Sequence, residues 1–367
     1  LLGNLHLLGL EFNVTEQLRS SEFMQYSAEL AMVLLLFLVG LETNMRDLLR
    51  VGRNATLVAT TGVVLPLAMG LAVAVLAAGY SGLQGWFIGA MLAATSVGVT
   101  ARFLEEKGLI KSPSAQVILG AAVIDDVMGI LLLAVLASIA SHGGVETGDL
   151  AWIIVKALGF FVGAVIVARY LLPQIVHLSS LSRHSSFWTG FSLCMALIGA
   201  ELALLAGLAP LIGAFVAGLL LDDIHFVVEN NLSRHRLEEL LRPITDIMLT
   251  IFFVGIGSQV QLETLAEPSS LALVVALFTV AVVSKVLSGL VVRGRQYDRL
   301  GVGLGMIPRG EVGLVFASFA FAHGVFTANT FSALVIVVLL TTMAGPLLLT
   351  KRLGAIRAAA AVRSPAG

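Results

Sequence analysis

The sequence has little charge and almost no cysteine. Among its 367 residues there is one cysteine, Cys194, which excludes an intramolecular disulfide and any cysteine-based metal cluster. Only 12% of residues are charged, against about 25% in an ordinary soluble domain. Hydrophobic residues make up 58% and the mean hydropathy is +0.98. One soluble core cannot hide that surplus, so a soluble enzyme or nucleic-acid binder is excluded. The net charge of −1 leaves no field for a polyanion. No His–Glu–His metal spacing and no basic, cleavable leader is visible. What is present is a series of long apolar runs, and these define an all-α polytopic membrane protein.

A bilayer-crossing helix needs about 20 apolar residues. The expected spans are 26–42, 54–79, 84–104, 114–140, 150–172, 187–206, 208–221, 244–260, 269–292, 299–322 and 330–350. Because the chain opens at Leu1 inside an apolar motif, one earlier helix is expected to be missing. Eighteen of the 22 Lys and Arg fall in alternate loops or within a turn of them at the span ends, and only Arg19 falls on the opposite side. The positive-inside rule assigns the basic loops to the cytoplasm. The regular alternation also supports the span count.

Two segments repeat. LLLFLVGLE (34–42) matches LTIFFVGIG (249–257), with Phe37, Val39 and Gly40 falling on Phe252, Val254 and Gly255, 215 positions later. At the same offset Val97-Gly98 falls on Val312-Gly313. The repeats begin seven spans apart, an odd number, so the second unit is expected upside down. Inverted repeats of this kind place a transporter's site at the midplane, between paired interrupted helices. The offset pairs 84–104 with 299–322, and both look interrupted. The first carries Ala-Thr-Ser-Val-Gly-Val-Thr (94–100); the second carries Gly305-Met-Ile-Pro-Arg-Gly-Glu311, with Pro308 removing a backbone donor.

Few charges lie within the spans. Asp125 and Asp126 are adjacent in 114–140, and each ionised Asp at a helix centre costs about 2.5–3.5 kcal/mol. Burial disfavours the charged form of a carboxylate, which suits a proton carrier that also takes a hard cation through oxygen. Adjacent residues point about 100° apart on a helix, so the two carboxylates meet different neighbours. Lys285, mid-span in 269–292, is the natural partner of one of them, as a packing ion pair or as part of the site. Arg309 and Glu311 flank the second interruption, either neutralising opposed half-helix ends or pairing with each other. Thr95 and Ser96 offer neutral oxygens at the first interruption, or are ordinary helix-bonded hydroxyls. Glu201 stands alone in its span, Asp246 is expected near a span end, and Cys194 as a small buried apolar residue. An intramembrane aspartyl protease needs carboxylates on two facing helices. Adjacent residues on one helix cannot supply that dyad, and Gly-x-Gly-Asp is absent, so the chain is read as no enzyme.

The segments AATSVGVTARFLEEKGL (93–109), ILGAAVIDDVMGILLLA (118–134), LFLVGLE (36–42), FFVGIG (252–257) and GMIPRGEVGLV (305–315) together resemble the monovalent cation/proton antiporters. The likeness is strongest to bacterial sodium/proton antiporters of the NapA type, and it spans about residues 30–350. It implies an NhaA-like fold of inverted five-helix repeats with two crossing interrupted helices. The implied domains are panel and dimerisation helices in 1–53, a first part of the ion-binding core in 54–149, linker and panel helices in 150–268, the rest of the core in 269–350 and a basic cytoplasmic tail in 351–367. It further implies Asp126 as the main cation and proton site, with Asp125 as the partner of Lys285. Thr95 and Ser96 would line the cavity, and Arg309 and Glu311 would support the crossing. Sodium and proton would be cargo, with no cofactor. A homodimer in a bacterial inner membrane, exchanging ions by an elevator-like motion, completes the expectation. The potassium-efflux branch carries Gln-Asp where this chain has Asp-Asp, which favours sodium and electrogenic exchange. A potassium/proton antiporter, a channel and a sodium-coupled symporter are the competing readings.

Overall fold

The structure, a computed structural model, describes residues 22–42, 52–142, 185–222, 234–294 and 296–363, with a few positions between 155 and 170. Most of the expected span 150–172 lies outside the described residues. Those that are described form helices and connecting turns, with no strand among them. Among the described residues, seven helical stretches are long and apolar enough to cross a membrane, and three shorter apolar helices accompany them. The chain divides into two compact units, residues 1–49 with 130–262 and residues 50–129 with 263–367.

The first unit holds α1 (Glu22–Glu42), α6 (Ser185–Leu205), α7 (Pro210–Asp222) and α8 (Arg234–Gln259). α7 packs on α1 and α6, and α8 packs on α1. The backbones of α1 and α7 touch because Gly40 and Gly218 face each other's helix. A Cβ on Gly40 would overlap the Phe215 carbonyl, and one on Gly218 would overlap that of Phe37. Small residues at such crossings let helices associate in lipid, where burial alone supplies little drive. α8 begins ten residues before the expected 244, so Asp246 is exposed in mid-helix rather than near a span end. Cys194 is exposed on α6, against the expectation of burial.

The second unit holds α2 (Arg53–Ala72, extended by a π turn at Val73–Ala77), α3 (Gly82–Ala93), α4 (Val97–Glu106), the part of α5 (Pro113–His142) up to Gly129, α9 (Pro268–Leu290), α10 (Arg299–Gly305), α11 (Glu311–Ala322) and α12 (Ala328–Arg363). α12 thus continues through most of the segment read as a tail. Its starts and stops are chemically ordinary. Ser81 and Gln84 close a capping box on α3, and Gly108, at φ +67°, follows the end of α4. Val58, Phe103, Ile118, Met306 and Ile307 are buried in one cluster of its core. α2 packs on α3 and α9, and α9 on α10 and α12. At the basic end, Arg352 of α12 grips Asp298 through both carboxylate oxygens, at 2.9 and 3.2 Å. The Asp298 amide in turn donates to Ser114 Oγ at the start of α5.

The repeat offset reappears in the helix boundaries. The start of α2 at Arg53 falls on that of α9 at Pro268, and the start of α5 at Pro113 falls on that of α12 at Ala328. The interruptions are shorter than expected. Backbone leaves the helix only at 94–96 and 306–310, and Val97–Thr100 is already helical.

Candidate functional site

α5 carries both acidic residues of the expected site. Asp125 is 1% exposed and Asp126 is half-buried, as a rotation of about 100° between neighbours requires. Ile118, two turns before Asp125 on the same face, packs against Gly305 of α10. This contact turns that face of α5 towards the second interrupted helix.

The Asp125 carboxylate meets Lys285 of α9, with Nζ to Oδ2 at 3.5 Å and both side chains fully buried. Gly62 of α2 leaves the space the ammonium occupies, since a Cβ there would stand 3.3 Å from Nζ. The pair is longer than the 2.7–2.9 Å of a charge-assisted hydrogen bond. Neither Asp125 oxygen nor Lys285 Nζ makes a hydrogen bond among the described residues. A buried pair held this loosely is a poor stabilising device, because desolvation offsets the Coulomb attraction. Lys285 also feels the charges of Arg309 and Asp126. The four side chains together are formally neutral when all are ionised.

The two interruptions lie against each other. The Ser96 amide donates to the Pro308 carbonyl at 2.9 Å, Thr95 Oγ1 to Met306 at 3.5 Å and Thr100 Oγ1 to Gly305 at 2.7 Å. Each donor satisfies a carbonyl near the end of α10, where the helix ladder has run out. Arg309, fully buried, returns the favour. Its Nη1 donates to the carbonyls of Ala93 at 3.2 Å and Ala94 at 2.6 Å, placing a cation on the negative end of α3. No Arg309–Glu311 ion pair occurs among the described residues. Glu311 instead opens α11, where a carboxylate suits the positive end of the helix dipole.

The expected residues therefore lie in one unit, with Thr95, Ser96 and Arg309 at the crossing and Asp125 paired with Lys285. Thr95 and Ser96 are 3% and 4% exposed and bind backbone of the opposing interruption. Sequence reasoning missed Gly62, Thr100 and Thr342, whose hydroxyl donates to the Arg309 carbonyl. Thr100 sits within the interrupted motif and carried a signal; a lone glycine or threonine in an apolar helix carries none. No cluster of three or more His, Cys, Asp or Glu suited to a resident metal occurs among the described residues.

Residues 1–351 match the transmembrane sodium/hydrogen exchanger family. The chain belongs to that family. It is 36% identical to the high-affinity Na(+)/H(+) antiporter NhaS3 of Synechocystis, over 89% of this chain and 70% of that protein. It is 31% identical to the Na(+)/H(+)-K(+) antiporter GerN of Bacillus cereus, over 92% and 85%. The sodium proton antiporter MjNhaP1 of Methanocaldococcus jannaschii shares the fold, with a TM-score of 0.65 at 16% identity, covering 95% of this chain and 88% of that one. A sodium/hydrogen exchanger is a transporter rather than a catalytic enzyme. Its cargo as a family is a monovalent cation and the proton, and it is a multi-pass membrane protein.

Proposed function

We propose that this exchanger moves cytoplasmic sodium, or lithium, outwards in return for external protons, with Asp126 as the principal ion site and Asp125–Lys285 as its coupled partner. The observation that carries this reading is the loose, fully buried Asp125–Lys285 pair beside two crossing interruptions, with the more accessible Asp126 next in sequence. In the proton-loaded state Asp126 holds one proton, and Lys285, charged, holds another against Asp125. Sodium arriving from the cytoplasm takes oxygen from Asp126 and Asp125, and both protons leave to the cytoplasm. Outside, two protons displace the sodium. Each cycle moves one net charge inwards, and a unit charge crossing the full potential is worth about 2.3 kcal/mol per 100 mV. The membrane potential thereby helps drive extrusion.

The reading extends to architecture. The two units act as panel and core, with residues 50–129 and 263–367 carrying the ion in an elevator-like motion. The repeats are inverted, as an odd number of spans between them requires; the recurrence of helix starts at one offset supports the repeat itself. A homodimer built through the panel completes the reading, and the bacterial relatives favour a bacterial inner membrane. A second reading has one specific support: GerN is named for potassium as well as sodium, so potassium is the alternative cation.

In proteoliposomes, Asp126→Asn abolishes cation-driven pH recovery; recovery at the wild-type rate would sink the assignment. Currents on a solid-supported membrane with sodium, lithium and potassium exchanged across pH identify the cation and the charge moved together.

A further inference from the structure

The second interruption is held from a side the charges do not explain. α12 carries no ionisable side chain between Ala328 and Thr350, yet two of its residues, one turn apart, seat the Pro308-Arg309 peptide. Thr342 Oγ1 donates to the Arg309 carbonyl, which the interruption has released from any helix ladder, and also reaches Val338 at 2.7 Å. Gly345, buried, lies flat against the Pro308 ring; a Cβ there would overlap ring carbons Cγ and Cδ. The main chain of Arg309 is thus fixed by α12, while its guanidinium is fixed by the carbonyls of Ala93 and Ala94.

The repeat gives this arrangement a second, independent basis. α12 is the counterpart of α5 at the offset of 215, and Thr341 is the counterpart of Asp126. Thr342 and Gly345 thus fall within four positions of Thr341, in the stretch that corresponds to the acidic pair. In α5 it presents carboxylates; in α12 it presents a hydroxyl and a bare glycine face.

We infer that Thr342 and Gly345 form a positioning shelf that sets where the Arg309 charge stands relative to Asp125 and Lys285, and so tunes cation affinity without touching the cation. The inference rests on the proposed exchange site. Arg309, Lys285 and Asp125 are all buried in the same unit, where charges are little screened, so moving the Arg309 backbone changes the balance between cation and protons at the pair.

The test compares Thr342→Val, nearly isosteric but without the hydroxyl, with Thr342→Ser, which keeps it. Both are assayed in proteoliposomes for apparent KM and maximal rate with sodium across pH. Thr342→Val is expected to change the apparent KM by about tenfold, because the displaced charge acts differently on the cation-loaded and proton-loaded states, and to move the pH profile. The maximal rate per folded protein should change less, and Thr342→Ser should restore both quantities. If Thr342→Val fails to give a monodisperse peak in detergent, Thr342→Ala against Thr342→Ser makes the same comparison. Wild-type KM and pH profile in the hydroxyl-free variant, or no rescue by serine, would overturn the shelf. Asp126→Asn in the same series separates the two ideas: a dead Asp126→Asn beside a wild-type Thr342→Val sinks the shelf alone, whereas an active Asp126→Asn sinks the site.

Discussion

Between α3 and α4 the chain leaves the helix for three residues, Ala94–Ser96, none charged. Between α10 and α11 it leaves for five, Met306–Gly310, and one of them is an arginine. The end of α3 and the first interruption offer the carbonyls of Ala93 and Ala94; the second interruption supplies the guanidinium that binds them. Traffic also runs the other way, from the Ser96 amide and the Thr95 and Thr100 hydroxyls to carbonyls at 305–308. Irregular backbone at membrane depth survives only where protein or water satisfies it. Here each interruption is largely satisfied by the other, so neither is expected to hold its shape alone. The asymmetry matters for function. The half with the arginine brings a fixed positive charge to the ion pair, and the half without it brings only dipoles.

The largest effect should come from removing that charge. Arg309→Ala leaves two buried carbonyls without their donor and the Asp125–Lys285 pair without its neighbouring cation. Leaving a buried carbonyl without its donor costs about 1–3 kcal/mol, and here two lose theirs. Thermal unfolding in detergent should show the loss, and proteoliposome exchange should disappear. Arg309→Lys, a point charge on a thinner stem, should recover part of the stability. Wild-type melting of Arg309→Ala would mean that the interruptions do not depend on each other.

A smaller effect tests the contact at the crossing itself. A Cβ on Gly310 would stand 2.6 Å from Ser96 Oγ and 2.7 Å from its Cβ, too close for any real pair. Gly310→Ala should therefore cost about 1–3 kcal/mol, as overpacking does. Ser96→Gly should relieve most of that cost when the two are combined. Stability measured over the double-mutant cycle would show coupling between the sites. Strict additivity would separate the two interruptions.

Much of this was legible beforehand, and for identifiable reasons. Basic loops alternate with apolar runs because lipid and the insertion machinery sort charge, so spans could be placed from residue types alone. The isolated charges Asp125, Asp126, Lys285, Arg309 and Glu311 stood out because lipid makes them costly. Their mutual geometry was less legible. Whether Arg309 pairs with Glu311 or caps a distant helix depends on a contact 215 or more positions away, and local spacing is silent on it. α8 was placed too late because its first turns, HRLEELL, are amphipathic rather than apolar, and a window tuned to membrane spans passes over them. Cys194 was misplaced because a lone apolar residue reads the same on a lipid-facing surface as in a core. Gly62, Thr342 and Gly345 left no trace, since their roles consist in what stands beside them.

The smallest expected effect is at Gly98, and it sharpens the comparison most. It sits in the first turn of α4, just past the uncharged interruption, and is exposed, with nothing within 4 Å of where a Cβ would project. Helical glycine is less favourable than alanine by about 1 kcal/mol, less near a helix end. Gly98→Ala should therefore leave stability unchanged or raise it by under about 1 kcal/mol, whereas Gly310→Ala lowers it. Exchange by Gly98→Ala should match wild type if the first interruption contributes only carbonyls, an amide and hydroxyls. A folded Gly98→Ala protein that binds or moves cations poorly would show instead that the open face beside Gly98 is itself part of the ion path. The two interruptions would then differ by more than one arginine.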